Sequence, residues 1–389
     1  MKPQPFAAAA VALVAMGCED GASVLQAQES ERGSALFVLG DSLSDTGNAA
    51  AVADYLLGQP MYPEATIGLC HPGERLLLDR DCADIVYLRS RVSDGPVAVE
   101  HLAAYLGVQL EPSFHTVPDR PVVGTNYAVA GAKARGSTPR DLTDQVERLL
   151  ADHGASLPAG AIAVLMIGGN DAIDALQAAA LPALDEPGAA LPDQAQGPRT
   201  DPPAGQADPA RIVAEAVDGI VTAASRLLDA GACVVVANVP NLARLPAVGE
   251  TAELDGLDVA AAMTAAEETA TGFDSELAEG LAALAASHSA GASLVPFDLG
   301  GAFAAALEAF TAAGANVTEA CFDSEGYTAS ALGERRFHPA CEPTPGDAPE
   351  FEGFFFWDGI HPTGAAHAAL GDALVQAYEA GCRGAAPAA

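Results

Sequence analysis

Four short apolar runs set far apart constrain this chain more than any other feature: residues 35–39 (ALFVL), 161–167 (AIAVLMI), 233–237 (CVVVA) and 292–297 (ASLVPF). They are rich in β-branched residues, lack apolar–polar alternation, and run into Gly, Asn, Pro or Asp. A strand with one wet face alternates, whereas a strand covered on both faces does not. Between the runs stand stretches of helical period with few breakers, at 141–152, 209–229 and 257–287. Buried strands alternating with helices predict one open α/β sheet, mainly parallel and wrapped by helices. No internal repeat and no linker divides it. The 257–287 stretch is Ala-rich but carries Asp258, Glu267, Glu268, Asp274, Glu276 and Glu279, so it reads as a water-facing helix, with a break expected at Gly272.

Charge narrows the function classes. With 18 Lys+Arg against 52 Asp+Glu, the formal net charge is −34, and lysine occurs only as Lys2 and Lys133. Such a polyanion has no electrostatic footprint for nucleic acid and is repelled by anionic membrane surfaces at low salt. Half of the 389 residues are apolar, which excludes general disorder and is enough for a large core.

The N-terminus, MKPQPFAAAAVALVAMGC, has one basic residue, then an apolar run of about a dozen residues, then small residues before Cys18. Residues 1–17 therefore read as a secretory signal peptide, and 18–33 as a polar tether. Cys18 stands where a bacterial lipoprotein carries its lipid anchor, although Val14 lies one position too early for a regular lipobox. Free secretion after cleavage near Ala27 is the alternative. An exported chain keeps disulfides, and six cysteines remain. Cys70 with Cys82 and Cys321 with Cys341 read as local staples on insertions. Cys233 reads as a buried strand thiol, with a bond to Cys382 as the alternative. The expected insertions are 58–95, 182–209 (seven prolines and no apolar period) and 316–352.

In open α/β sheets, ligands sit beyond the carboxyl ends of the strands. There the chain reads GDSLSDTGN (40–48) after the first run and GGND (168–171) after the second. It reads WDGIHPT (357–363) near the C-terminus, and NYAVAGA (126–132) lies between the first two. These supply the parts of an acyl-transfer site. A serine at a strand-to-helix turn presents its hydroxyl beside backbone N–H groups that face a developing oxyanion. His361 takes and returns the serine proton, with Asp358, three residues before it, orienting the ring, and Pro362 starts the last helix. The Asn170 amide and the Gly131 N–H donate to the oxyanion. Each block alone has a blander reading: Ser42 with Asp45 as an N-cap and its acid, Gly-Gly-Asn-Asp as a tight turn, Asp-x-x-His-Pro as loop and cap. A metal on Asp41, Asp171, Asp358 and His361 lacks ligand spacing.

The four blocks resemble blocks I, II, III and V of the GDSL lipases and esterases, the SGNH hydrolases, over residues 34–378. The resemblance is closest to the branch of phospholipase/haemolysin-like proteins and autotransporter esterase passengers, whose Asn-x-Pro-Asp-Leu stretch is matched by residues 238–242 with Asn241 for the acid. It implies a flavodoxin-like three-layer α/β/α sandwich over 34–382, with Ser42 as nucleophile, His361 as base and Asp358 as its partner. Ser42, Gly131 and Asn170 would form the oxyanion hole, and no metal or organic cofactor is implied. Block II here has Ala130-Gly131 where the family often has Gly-Gly. The expected activity is an exported ester hydrolase acting on an acyl ester or lipid. A phospholipase or acyltransferase on the same site, and a catalytically silent binding protein, are the alternatives.

Overall fold

The computed structural model describes residues 35–57, 75–76, 80–81, 91–179, 208–254, 256–288, 293–323, 336–341, 351 and 353–383. The expected signal peptide, the tether with Cys18, and the Cys70–Cys82 staple lie outside them. So do most of the 58–95 insertion and nearly all of the 182–209 insertion.

Four strands form the central sheet: β1 (Leu36–Gly40), β2 (Ile162–Met166), β3 (Cys233–Ala237) and β4 (Leu294–Phe297). All neighbours are parallel, in chain order, with Leu36 opposite Ile162, Ile162 opposite Cys233, and Val234 opposite Leu294. β1, β2 and β3 are buried at every residue, which is why their sequences do not alternate. β4 is the edge, partly exposed, and tolerates Pro296 for that reason.

The other edge of β1 is not open. Val38 N–H donates to Thr125 O at 3.0 Å, Tyr127 N–H to Val38 O at 2.7 Å, and Val129 N–H to Gly40 O at 3.1 Å. Residues 111–113 then line up outside this segment through the Pro112–Asn126 bridge. The chain therefore leaves β1 to one side for 125–129, then crosses back to β2 on the other. That reversal makes a crevice at the carboxyl end of β1, where open α/β sheets place their ligands.

Helices cover both faces. On one pack α2 (Ala98–Leu106), α8 (Leu299–Ala312) and α9 (Gly364–Gly381). The other carries α3 (Leu142–His153), α4 (Gly169–Ala179), α5 (Pro209–Asp229) and α7 (Val259–Ser287). The α/β sandwich with a parallel sheet is as the sequence implies. α5 shows how its residues build it. Asp208 caps the first turn by accepting from Ala210 N–H, Pro209 opens the helix, and Ile212, Ala216, Ile220, Ala223 and Leu227 form the buried stripe. Ile212, Ile220 and Leu227 each contribute about 1.5–3 kcal/mol on burial.

Two expectations are corrected. α7 runs unbroken through Gly272, because seven buried anchors from Ala262 to Leu284 hold it on either side, and a helical Gly costs only about 1 kcal/mol. Cys233 is not a free thiol: it is bonded to Cys382 at the end of α9, with Cα atoms 5.7 Å apart. The root of the 316–352 insertion is regular, since β5 (Asn316–Ala320) pairs in parallel with β6 (Phe354–Phe356). Cys321 and Cys341 are bonded beside them, as expected. Among the described residues, no helix is long and apolar enough to cross a membrane.

Candidate active site

The chain leaves β1 at Gly40 and makes one tight turn, in which Ser44 N–H and Asp45 N–H both donate to Asp41 O (3.1 and 3.0 Å). Ser42 projects from that turn ahead of α1 (Asn48–Leu57). It is not the N-cap of this helix. Asp45, two residues before the N-cap position, satisfies the first N–H groups from outside the helix: it accepts from the N–H groups of Gly47 (2.7 Å), Asn48 (2.7 Å) and Ala49 (3.0 Å), and from Ala130 N–H at 2.8 Å. One buried carboxylate thus caps a helix and holds the turn against the Ala130-Gly131 segment.

Two buried asparagines complete that seam. Asn48 Nδ2 donates to Asn126 O and Ala128 O, both at 2.8 Å, while its Oδ1 accepts from Phe114 N–H at 2.7 Å. Asn126 Nδ2 donates to Ser44 O (2.7 Å) and Thr46 Oγ1 (2.9 Å). Gln145 reaches from α3 to bond both polar groups of Gly40, donating to O and accepting from N–H at 2.8 Å each. The residues either side of Ser42 are therefore fixed by side chains from two other parts of the chain, Asn126 and Gln145.

His361 meets Ser42 from the far end of the sequence. Its Nε2 lies 2.8 Å from Ser42 Oγ, and its Nδ1 lies 2.9 and 2.8 Å from the two Asp358 oxygens. A carboxylate accepts only, so Nδ1 carries the proton and Nε2 is the acceptor for the serine hydroxyl. Asp358 also accepts from Ile360 N–H (2.8 Å) and His361 N–H (2.7 Å), which fixes the loop. Burial pushes the Asp358 carboxyl up, but the charge and hydrogen bonds of His361 outweigh it and leave it below the usual range. α9 begins at Gly364 with Thr363 as its N-cap, so Pro362 precedes the helix rather than starting it.

Gly131 and Asn170 are drawn together by the loop that follows block II. Asn170, in the first turn of α4, donates one Nδ2 hydrogen to Ala132 O at 3.0 Å, which leaves the other for a ligand. Gly131 has φ +76°, and a Cβ built on it meets Arg140 Nη1 at 3.2 Å. Neither Ser42 N–H nor Gly131 N–H has a hydrogen-bond acceptor in the described residues. Asp171 is wholly buried and accepts from Ala134 N–H at 2.8 Å, tying α4 to the same loop. Burial raises its carboxyl to about 7 and that of Asp41 to about 6.

Ser42, Gly131, Asp358 and His361 thus lie on loops and Asn170 in the first turn of α4, and Ser42, His361 and Asp358 are in hydrogen-bond contact. Asp45, Asn48, Asn126 and Gln145 were not singled out. Gln145 left a signal, because it interrupts the buried stripe Leu142, Val146, Leu149. Among the described residues, no group of three or more His, Cys, Asp or Glu side chains is arranged to hold a metal ion.

Comparison with known proteins adds one strong match. The family model described as GDSL-like Lipase/Acylhydrolase matches residues 36–374. No curated protein matches the chain. Among solved structures, LAE5, an α/β hydrolase enzyme from the metagenome of Lake Arreo, Spain, is 15% identical over 89% of this chain and 94% of its own. Its TM-score is 0.39, too loose a likeness to carry an argument.

Proposed function

The chain belongs to the GDSL-like lipase/acylhydrolase family, and from that premise we propose that it is a serine carboxylic-ester hydrolase acting through an acyl-enzyme on Ser42. The observation that carries this reading is the relay Ser42 Oγ–His361 Nε2 at 2.8 Å and His361 Nδ1–Asp358 at 2.8 Å. Ser42 Oγ bonds to the ester carbonyl carbon while its proton passes to His361 Nε2. The carbonyl oxygen becomes an oxyanion that accepts from Ser42 N–H, Gly131 N–H and Asn170 Nδ2. Collapse breaks the bond to the alcohol, which leaves with the proton held by His361. Water then attacks the acyl-enzyme, gives a proton to His361, and releases the acid as Ser42 Oγ is reprotonated. Metals and organic cofactors take no part in this route.

The fitting substrates are acyl esters and lipids, with a general esterase/lipase activity favoured over phospholipase or acyltransferase activity. The chain's net charge of −34 disfavours approach to anionic lipid surfaces except at high salt. Two disulfides support an oxidising, exported compartment, in keeping with a signal peptide at 1–17 and either a lipid anchor at Cys18 or free secretion.

Turnover of a nitrophenyl ester and labelling by a fluorophosphonate test the reading together. Ser42→Ala is expected to abolish both, and His361→Ala to lower kcat by roughly 10⁴-fold or more in a folded protein. Near-wild-type turnover by Ser42→Ala would sink the mechanism. Absence of any adduct on Ser42 in the wild type would favour a silent binding protein.

A further inference from the structure

The loop that carries His361 is held on three sides, and only the first of them is local. It folds back on β6, where Thr363 N–H donates to Phe355 O (2.8 Å) and Thr363 Oγ1 to Phe354 O (3.0 Å). On its flank, Ala247 N–H, at the start of α6 (Pro246–Leu254), donates to Gly359 O at 3.0 Å. The third support comes from a turn some 270 residues away in sequence, Ser93-Asp94-Gly95.

That turn grips Pro362 and Gly364, on either side of Thr363. Ser93, fully buried, donates its hydroxyl to Pro362 O at 3.0 Å. Asp94 Oδ1 accepts from Gly364 N–H, the first N–H of α9, at 2.6 Å. Gly95 lies backbone to backbone on Gly364: a Cβ built on either would stand 2.9 or 2.6 Å from the other's Cα. The turn is itself braced. Arg91 Nε donates to Glu100 Oε2 at 2.7 Å, and the same carboxylate accepts from Val97 N–H at 2.9 Å. One turn further along, Ala98 N–H donates to His367 Nδ1 of α9 at 3.3 Å.

From these contacts we propose that Ser93 and Asp94 are positioning residues for the reaction: they set the register of α9 and so place His361 Nε2 against Ser42 Oγ. The proposal rests on His361 being the base. Ser93 and Asp94 touch neither the serine nor the imidazole. They act through Pro362 and Gly364, and the negative charge of Asp94 also suits the positive end of α9. A helix terminus held by a carboxylate and a hydroxyl, with two glycines in contact, cannot slide without breaking those bonds or separating the backbones. Since a displacement of about 1 Å at a reacting group costs on the order of 100-fold in rate, the effect belongs in kcat.

The test compares Asp94→Ala, Asp94→Asn, Ser93→Ala and a control, Leu284→Ala, in the full chain, by kcat and KM on nitrophenyl butyrate and by Tm. Leu284 is buried on α7, away from this loop. Asp94→Ala is expected to lower kcat about 10- to 100-fold with KM within about twofold. Asp94→Asn, whose amide oxygen still accepts from Gly364 N–H, should recover most of that loss, and Ser93→Ala should show a smaller loss of the same kind. Leu284→Ala should lower Tm at least as much as Asp94→Ala and keep kcat. Wild-type kcat in Asp94→Ala overturns the proposal, as does an equal kcat loss in Leu284→Ala. Full turnover by Ser42→Ala instead removes the serine reading itself. A dead Ser42→Ala beside a fully active Asp94→Ala removes only the positioning role.

Discussion

Asp358→Asn tests one atom at a time. In the wild type, Oδ1 of Asp358 accepts from Ile360 N–H and His361 N–H at 2.8 and 2.7 Å, while His361 Nδ1 lies 2.8 Å from Oδ2 and 2.9 Å from Oδ1. Asparagine has the same shape, so its orientation is decided by those two backbone donors. Its oxygen takes the Oδ1 place, because the flipped amide would face donor against donor and lose two hydrogen bonds, roughly 1–3 kcal/mol. The NH₂ group then faces Nδ1. An imidazole opposite a donor accepts through Nδ1 and carries its proton on Nε2. Nε2 remains about 2.8 Å from Ser42 Oγ, but it can no longer take the serine's proton. The loop survives and the base is lost. The expected fall in kcat is about 10⁴-fold, or about 5.5 kcal/mol in barrier height. Steady-state hydrolysis of nitrophenyl butyrate measures it, fluorophosphonate labelling of Ser42 should slow in step, and Tm should move by only a degree or two. A loss under tenfold in a fully folded variant would refute the assignment of tautomer control to Asp358.

Other consequences are equally open to measurement. Replacing Cys233 and Cys382 together by alanine opens a loop of 149 residues, and chain entropy predicts a stability loss of about 5 kcal/mol; urea unfolding that registers less than about 1 kcal/mol contradicts that argument. Because Cys233 starts β3 while the site lies at the strands' other ends, the folded variant should keep its kcat. Gly131→Ala forces a left-handed residue to carry a Cβ against Arg140. It is expected to lower kcat by about 10²-fold through the displaced N–H, and an unchanged kcat would exclude Gly131 from the oxyanion hole. The Asp171 carboxyl is raised to about 7, so it adds most stability below its unfolded value of about 3.9 and loses it as pH rises through about 7. The Tm advantage of Asp171→Asn over wild type should therefore widen from about pH 5 to about pH 8, and a gap that stays flat or narrows over that range counts against this titration.

What was legible in the sequence was local. β1, β2 and β3 announce themselves because burial on both faces leaves nothing for a polar residue to do, and blocks I, II, III and V each carry their chemistry within about ten residues. The segment 125–129 escaped because its contribution is backbone pairing to Val38 and Gly40, which Ala and Val do not advertise. Asn48 and Asn126 were visible as letters within their blocks, but their work lies in bonds to carbonyls about 80 residues away. Cys233 failed for the same reason. Its valine neighbours describe a buried strand correctly, and nothing near it says that residue 382 ends beside it. The break expected at Gly272 came from weighing one residue's propensity above seven buried contacts spread along α7.

The span of 319 residues between Ser42 and His361 also bears on when the protein becomes active. A chain made from its N-terminus carries Ser42 early and waits for His361 until α9 has been synthesised and docked. Under the proposed mechanism, any product that stops short of Asp358 is inert, however well its sheet has formed. The bond from Cys382 to Cys233 then closes over that docking step, so oxidation of Cys382 and the approach of His361 to Ser42 belong to one stage of folding.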